Sequence, residues 1–291
     1  MKIALNGRIC EEKEAVISVY DHGFLYGLGL FETFRSYGGR PFLLEEHLRR
    51  LSAGCEELGI GYVPDPAETA KLIGQLLSDN GLADAYIRLS VSAGVEQLGL
   101  PAADYESPNV ILYMKPLPPR DPLVYEHGKA IQRLALPRNS PEGTVRFKSF
   151  HYMNNILAKR EMRSYPWASG AEGIFLDGQG YVAEGIVSNL FWIRQGVVYT
   201  PSLDTGILRG ITRDYVIGAA ARTGMVVNEG LYAWEEVMRA DEAFLTNSVQ
   251  ELVPVCRGYD VLGRVSAIGQ GVPGPWTRKL MEEYRTAAVR E

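Results

Sequence analysis

Lys148 and Glu184 are the residues of this sequence whose types and neighbours point most directly to chemistry. The aromatic neighbours of Lys148 are Phe147, Phe150 and Tyr152. Such surroundings disfavour a charged ammonium and favour the amine that condenses with an aldehyde and then acts as a base. Glu184 follows a predicted turn and strand, where its carboxylate can hydrogen-bond a ring nitrogen. Together they are what an enzyme needs to hold pyridoxal 5'-phosphate, with a solvated lysine and a solvent-facing glutamate as the alternatives.

Two segments and one arginine can bind the phosphate of such a cofactor. The segment Gly206-Ile207-Leu208-Arg209-Gly210-Ile211-Thr212-Arg213 runs into a predicted helix N-terminus, whose amides and Thr212 hydroxyl suit a phosphate. The hydroxyl cluster Thr246-Asn247-Ser248 follows a predicted strand. Arg50 can add a cation, because helical spacing places it beside His47. An ordinary glycine turn and a surface arginine are the alternatives.

Composition argues against several other classes of protein. The chain has 291 residues, 22% of them charged, and a net charge of −5, so no basic surface for nucleic acid or an anionic membrane is expected. No apolar stretch approaches the length of a membrane span. The histidines and cysteines lack metal-ligand spacing, so we predict no metal site. Three scattered cysteines are typical of free thiols in a reducing cytosol, which predicts a cytoplasmic protein.

Hydrophobic periodicity predicts strands and helices in both halves of the chain. In the first half we predict strands at 1–5, 15–19, 30–37, 85–93 and 109–114, and helices at 44–58 and 67–78. In the second half we predict strands at 129–136, 173–176, 181–183, 188–193, 197–200 and 242–246, and helices at 152–163, 210–222, 235–239 and 275–288. The strand at 30–37 places Phe31, Thr33 and Arg35 on one face.

A proline-rich segment separates these two halves. Four prolines between Pro116 and Pro122 are incompatible with a helix or a central strand, which predicts a linker. The expected organisation is therefore an N-terminal α/β domain at 1–115, a linker at 116–122 and a cofactor-binding α/β domain at 123–291. The fold class is α/β (α+β) with two domains and a cleft between them.

The chain resembles the fold-type IV pyridoxal-phosphate enzymes over nearly its whole length. This family includes branched-chain aminotransferases, D-amino acid aminotransferases and 4-amino-4-deoxychorismate lyases. The matching motifs, in order, are Asp21-His22-Gly23-Phe24 through Phe31-Glu32-Thr33, His47-Leu48-Arg49-Arg50-Leu51, Lys148, Glu184, Gly210-Ile211-Thr212-Arg213 and Thr246-Asn247-Ser248. The resemblance implies a D-amino acid aminotransferase-like fold and a homodimer. It also implies an active site between the two domains, with a loop of the neighbouring subunit at its mouth.

The resemblance also implies a role for each matching residue. Lys148 is the Schiff-base lysine and Glu184 the partner of the ring nitrogen, while Tyr152 lies near the phenolic oxygen. The residues implied around the phosphate are Arg50, Ile211, Thr212, Asn247 and Ser248.

Within the family, the motifs look most similar to the aminodeoxychorismate lyases of Gram-positive bacteria, which serve folate biosynthesis. The strand ending at Gly94 lacks the Arg-x-His pair of D-amino acid aminotransferases. The expected substrate is a small carboxylated amine, with Lys148 as general base and Thr33 as a candidate for orienting it. An aminotransferase on the same scaffold is the alternative, although the sequence shows no fixed cation for an α-carboxylate. A non-catalytic pyridoxal-phosphate carrier is a third hypothesis.

Overall fold

The computed structural model describes residues 1–290, and the chain divides into two compact units. The first unit comprises Met1–Pro119, Phe147–His151 and the residues from Ala288 onward. The second comprises Arg120–Arg146 and Tyr152–Ala287. This division differs from a continuous second domain at 123–291, because the segment that carries Lys148 belongs to the first unit.

The first unit contains one antiparallel sheet of six strands in the order β2-β1-β6-β5-β3-β4. Its strands are β1 (Lys2–Leu5), β2 (Arg8–Glu11), β3 (Gly29–Tyr37), β4 (Arg40–Pro41), β5 (Ala85–Ser92) and β6 (Asn109–Pro116). Its helices are α1 (His22–Tyr26), α2 (Leu44–Glu57) and α3 (Pro66–Asp79). Leu48, Leu51, Ile73 and Leu76 of α2 and α3 pack in one core cluster with Phe34 of β3. Burial of this apolar surface is the main force that holds the helices on the sheet.

The opening hairpin of the first unit differs from the prediction. Its second strand is β2, whereas residues 15–19 form no strand. The turn is Asn6-Gly7, with φ of 49° and 78°, and asparagine and glycine both tolerate this left-handed conformation. The apolar residues Val16, Ile17 and Val19 are exposed. An apolar run was therefore a weaker signal than the Asn-Gly turn.

The second unit contains a mixed sheet of nine strands. Its strands are β7 (Lys129–Arg133), β8 (Glu172–Leu176), β9 (Val182–Gly185), β10 (Asn189–Arg194), β11 (Val197–Pro201), β12 (Val227–Gly230), β13 (Glu242–Asn247), β14 (Glu251–Tyr259) and β15 (Val265–Ala267). Eight of them follow the order β12-β11-β10-β13-β14-β7-β8-β9, and β15 pairs with β14. Its helices are α4 (Pro122–His127), α5 (Met153–Glu161), α6 (Ile211–Arg222), α7 (Trp234–Met238) and α8 (Pro275–Arg290), the last of which belongs to this unit as far as Ala287.

Several elements were absent from the prediction, among them α1, β12 and β14. Strand β14 contains Pro254, and a proline argues against a central strand. Pairing with β7 begins only at Val255, so the missing N–H of Pro254 costs no hydrogen bond on that side. The prolines of the predicted linker also belong partly to regular structure, because Pro116 ends β6 and Pro122 begins α4.

Strands and helices occur in both units, which confirms the α/β (α+β) fold class. Among residues 1–290, none of the helices has both the length and the apolar composition that crossing a membrane requires.

Candidate active site

The backbone of Lys148 is attached to the edge of β3. The Lys148 carbonyl accepts a hydrogen bond of 2.9 Å from the Phe31 N–H, and the Phe150 N–H donates one of 3.0 Å to the Gly29 carbonyl. Ser149 and Leu30 form an antiparallel bridge between these two bonds. Strand β4 pairs only with the far end of β3, so this short segment covers the edge that β4 leaves open. The lysine therefore sits on a backbone as fixed as that of a strand, and α5 begins only at Met153.

The side chain of Lys148 is half-buried beside an aromatic ring. Its Nζ lies 4.5 Å from the centre of the Phe31 ring. The guanidinium carbon of Arg88 lies 3.5 Å from the centre of the same ring. The aromatic surroundings predicted from the local sequence thus include Phe31, which comes from β3. Phe147, by contrast, packs against the core of the first unit.

Arg50 is held by a buried carboxylate of β3. Glu32 has 1% of its side chain exposed. Its Oε1 accepts a bond of 2.7 Å from Arg50 Nε, and its Oε2 accepts one of 2.6 Å from Arg50 Nη2. His47 Nδ1 lies 2.6 Å from the same Oε2. The predicted proximity of Arg50 and His47 on one face of α2 is explained by this shared partner.

The pKa values of Glu32 and His47 are both lowered, for different reasons. Burial raises the pKa of Glu32, but Arg50 and His47 outweigh it and lower the pKa from 4.5 to about 2. Burial lowers the pKa of His47 below its ordinary value although Glu32 acts to raise it, and the charges of Arg50 and Lys148 add to the lowering. Glu32 is therefore ionised and His47 neutral near pH 7. A neutral His47 must donate its Nδ1–H, because a carboxylate can only accept.

Thr33 is half-buried and pairs with Arg88 across β3 and β5. A cavity of about 440 Å³ lies within the first unit beside Arg88. Its lining residues are Ile17, Gly23, Phe24, Arg88, Ser90, Ser92, Ile111, Tyr113 and Phe150. Arg88 Nε donates a hydrogen bond of 3.1 Å to Ser90 Oγ at this wall. The local sequence does not reveal Arg88 as a fixed cation, although the alternation of Arg88, Ser90 and Ser92 along β5 gives one polar face and was the available signal.

Glu184 is the corresponding buried carboxylate of the second unit, and it lies within β9. Its Oε1 accepts a bond of 2.8 Å from Arg138 Nε, and its Oε2 accepts one of 3.0 Å from the Leu208 N–H. Asn189 Nδ2 lies 3.4 Å from Oε2 and 2.9 Å from the Leu208 carbonyl. Both oxygens are thus fixed in position, which gives a directed acceptor.

Arg138 is a functional candidate that sequence reasoning missed. It is itself buried, and its Nη1 donates a bond of 2.8 Å to Asn154 Oδ1 on α5. Arg146 lies near this arginine and donates to the carbonyl oxygens of Gly206 and Asn139. Burial, followed by the charge of Arg138, lowers the pKa of Arg146 to about 10. The two arginines hold the 139–146 segment and the 206–208 loop beside Glu184, and neither lies in a local motif that could have revealed it.

The N-terminus of α6 is open and carries a pair of hydroxyl groups. Gly210 occupies the N-cap position, where no side chain caps the helix. A Cβ at Gly210 would collide with Asn189 Oδ1, so any other residue there would displace the Asn189 side chain. Thr212 is buried, and its Oγ1 lies 3.2 Å from Ser248 Oγ. The first-turn amides of Ile211 and Thr212 with these hydroxyls form a suitable phosphate site.

Asn247 and Tyr152, the remaining candidate residues of the second unit, lie at a turn and at the start of a helix. Asn247 Oδ1 accepts from the N–H groups of Val249 and Gln250, at 3.0 and 2.7 Å, which shapes the turn that carries Ser248. Tyr152 is half-buried at the N-cap position of α5. In the described part of the chain, no three His, Cys, Asp or Glu side chains form a group able to hold a metal ion.

Comparison with known proteins places the chain among pyridoxal enzymes. The family model described as amino-transferase class IV matches residues 29–257. The chain is 46% identical to aminodeoxychorismate lyase of Bacillus subtilis over 89% of its length and 87% of that protein. It is 33% identical to a branched-chain-amino-acid aminotransferase of Pseudomonas aeruginosa, covering 96% of this chain and 90% of the relative. Its structure is similar to the T.th. branched-chain amino acid aminotransferase complexed with N-(5'-phosphopyridoxyl)-L-glutamate, with a TM-score of 0.85, 30% identity, and coverage of 99% and 94%.

Proposed function

Because the chain belongs to the amino-transferase class IV family, we propose that it is a pyridoxal-phosphate-dependent lyase that converts 4-amino-4-deoxychorismate to p-aminobenzoate and pyruvate. The observation that carries this proposal is the 46% identity to the Bacillus subtilis lyase across most of both chains. Fold type IV and the enzymatic nature of the chain follow from the family, which leaves no role for a non-catalytic carrier.

Each unit, taken by itself, contains residues that suit a part of the cofactor. The open N-terminus of α6 and the hydroxyls of Thr212 and Ser248 suit its phosphate, as does the guanidinium of Arg50. Glu184, with both oxygens fixed, suits a protonated ring nitrogen. We assign Ile211 to the phosphate through its amide and Asn247 to the turn that presents Ser248. Tyr152 is assigned to the phenolic oxygen.

The chemistry divides between the cofactor and the chain. When bound, pyridoxal phosphate supplies an electron-withdrawing ring that acidifies the carbon bearing the substrate amine. Lys148 Nζ would hold the cofactor through its aldehyde and, when free, would take the proton from the substrate carbon that bears the amine. Glu184 keeps a proton on the pyridine nitrogen. The Lys148 ammonium can then donate its proton to the enolpyruvyl oxygen as the C–O bond breaks.

The cavity of the first unit supports a carboxylated substrate. Arg88 contributes a guanidinium to its wall, and Ser90, Ser92 and Tyr113 contribute hydroxyl groups. Arg88 is the fixed cation that the sequence did not reveal, and it also suits the carboxylate of an amino acid. This observation keeps an aminotransferase as the second candidate function. We assign Thr33, opposite Arg88, to orienting the substrate.

Product analysis separates these two functions. The purified protein with pyridoxal phosphate is incubated with aminodeoxychorismate, with D-alanine or with branched-chain amino acids plus an oxo-acid acceptor. We expect p-aminobenzoate and pyruvate in equal amounts from the first, and none from the Lys148→Ala variant. Amino-acid-dependent formation of a new amino acid, without p-aminobenzoate, would establish the aminotransferase instead.

A chemical label tests the assignment of Lys148 itself. Borohydride reduction in the presence of pyridoxal phosphate, followed by peptide mass mapping, should attach a pyridoxyl group to Lys148. A label on another lysine would overturn the assignment of the catalytic amine.

We also propose that the enzyme acts as a homodimer in the cytoplasm, in folate biosynthesis. Met153, Ile156 and Leu157 lie at i, i+3 and i+4 on α5 and are all exposed, which leaves an apolar stripe that a second copy can cover. Leu157→Glu should shift the mass measured by light scattering from two chains to one. Lys159→Glu, on the same helix, serves as the control and should leave the dimer intact.

A further inference from the structure

Glu32 and His47 have no role in the chemistry described above, yet both are almost completely buried. Each has 1% of its side chain exposed. A buried carboxylate is costly unless cations and donors compensate it. Here Arg50 supplies two bonds and His47 a third. An ion pair of this kind contributes little net stability compared with an apolar core, so its presence calls for another explanation.

The two hydrogen bonds between Arg50 and Glu32 fix the orientation of the Arg50 guanidinium. Nε and Nη2 lie on one edge of the planar guanidinium, and both bind Glu32. The group can therefore neither rotate nor translate along its plane, and the edge that carries Nη1 is turned away from Glu32. Arg50 is also the most exposed member of the cluster, at 21%, against 1% for Glu32. A flexible arginine is thus oriented before any ligand arrives, which lowers the entropy lost on binding.

The charges of the cluster support the same interpretation. Ionised Glu32 offsets one cation, and neutral His47 adds a hydrogen bond without adding a third positive charge beside Arg50 and Lys148. The His47 ring lies 5.0 Å from the ring of Phe34 in the core. His47 thus connects the Glu32 carboxylate to the packed core and restricts its movement.

We propose that Glu32, supported by His47, is a positioning residue that holds Arg50 in the orientation that binds the phosphate of the cofactor. This inference rests on the proposed function, because it requires that the protein bind pyridoxal phosphate. In this proposal Glu32 acts through Arg50 and contacts neither the cofactor nor the substrate.

The test compares two ligands that differ only in the phosphate. Apoenzyme is titrated with pyridoxal phosphate and with pyridoxal, and the change in absorbance gives a Kd for each. For Glu32→Gln we expect the Kd of pyridoxal phosphate to rise on the order of 10- to 100-fold, because the amide offers Arg50 an N–H in place of one acceptor oxygen. The Kd of pyridoxal should change less than about 3-fold. A purely structural role for Glu32 would weaken both ligands equally.

A double variant tests whether the effect passes through Arg50. Arg50→Gln alone should weaken pyridoxal phosphate at least as much as Glu32→Gln, and Glu32→Gln added to it should change little. Glu45→Gln, an exposed glutamate of α2, and Arg49→Gln, the exposed neighbour of Arg50, are the matched controls and should retain the wild-type Kd. Additive effects of the Glu32 and Arg50 substitutions would overturn the proposal.

Variants of His47 provide a second test in case Glu32→Gln does not fold. His47→Ala removes the donor and should raise the Kd of pyridoxal phosphate by about 3- to 10-fold, whereas His47→Asn can replace the Nδ1–H and should restore part of the affinity. Equal affinities in His47→Ala and wild type would contradict the role of His47. Failure of the wild-type protein to bind pyridoxal phosphate would instead refute the proposed function, so the two failures are distinguishable.

Discussion

Glu32 in the first unit and Glu184 in the second are both buried, and each binds an arginine through its Nε at 2.7 and 2.8 Å. The two pairs differ in whether the arginine is enclosed together with its carboxylate. Glu32 is more deeply buried than Arg50, which is 21% exposed, whereas Arg138 is as buried as Glu184, with 6% of each side chain exposed. In the first unit the buried carboxylate is the anchor, and it holds an arginine that is partly exposed. In the second unit the arginine is the anchor, and it helps to hold a carboxylate that is buried to the same extent.

The difference lies in what holds each second oxygen. The Oε2 of Glu32 receives Arg50 again, together with His47, so the carboxylate is used entirely to hold the cation. The Oε2 of Glu184 receives the backbone N–H of Leu208 and the amide of Asn189 instead. One ion pair can thus prepare a site for an anion or for a cation, depending on whether its arginine is partly exposed or fully enclosed and on how the remaining atoms of the carboxylate are bound.

The largest effect on stability is expected for Arg138→Gln, which removes the anchor of the second ion pair. Removal of the anchor leaves the Glu184 carboxylate buried without its cation, which should lower the free energy of unfolding by about 3–5 kcal/mol. Urea denaturation followed by circular dichroism measures this loss. Arg209→Gln, which breaks an exposed pair with Asp214, is the control and should cost less than about 1 kcal/mol. Equal costs for the two substitutions would contradict the anchoring role of Arg138.

Glu184→Gln should affect catalysis rather than cofactor affinity. Loss of the negative charge that keeps the ring nitrogen protonated should lower kcat on the order of 10²- to 10³-fold at saturating cofactor. Glu32→Gln, measured in the same way, should lower kcat less than about 10-fold once cofactor is saturating. Steady-state assays with both variants check this contrast, and a reversed order of the two effects would refute the distinction between the sites.

The pH dependence of stability should report the Glu32 cluster. The pKa of Glu32 falls from 4.5 to about 2 on folding, so as the pH falls Glu32 is protonated first in the unfolded chain. The pH-dependent part of the Glu32 contribution, about 3 kcal/mol, is therefore complete above pH 4.5 and disappears as the pH approaches 2, whereas the cost of burying the carboxyl group and its partners makes the net contribution smaller. His47, whose pKa is also lowered, adds a loss that begins as the pH falls below 6.5. Urea midpoints of wild type and Glu32→Gln should converge toward low pH, and parallel curves would contradict the assignment.

The smallest expected effect is that of Asn189→Ala. This substitution removes the amide that bonds the Leu208 carbonyl and approaches Glu184 Oε2. One lost buried hydrogen bond should cost about 1–2 kcal/mol of unfolding free energy. A reduction of kcat by less than about 10-fold is expected, because Arg138 and Leu208 still hold the carboxylate. A loss as large as that of Arg138→Gln would show that the amide, and not the arginine, is the anchor.

Much of the first unit could be predicted from local patterns. The alternation along β3 correctly placed Glu32 and Phe34 on one face and Thr33 on the other, because a strand has a period of two. Helical spacing correctly placed His47 and Arg50 side by side. Local patterns did not reveal that both bind Glu32, because the partner of a charged side chain is decided by packing between elements.

The less predictable features involve residues distant in the sequence. The pairing of the Lys148 segment with β3 joins two parts of the chain separated by most of the first unit, and no periodicity encodes it. Arg138 lies in no motif, and its partners come from β9 and α5. The motifs around Lys148 and Glu184 indicated the chemistry, whereas the side chains that orient them became visible only in the fold.

The attachment of residues 147–151 to β3 has a practical consequence for dissecting this protein. The chain leaves the first unit after Pro119 and returns to it briefly before α5, so neither unit can be produced as one uninterrupted fragment. A fragment that stops at Pro119 would expose the bare peptide groups of residues 29–31, and unpaired strand edges recruit other chains. Such a truncation is therefore expected to aggregate, and a soluble version would need the missing pentapeptide grafted back through a designed loop.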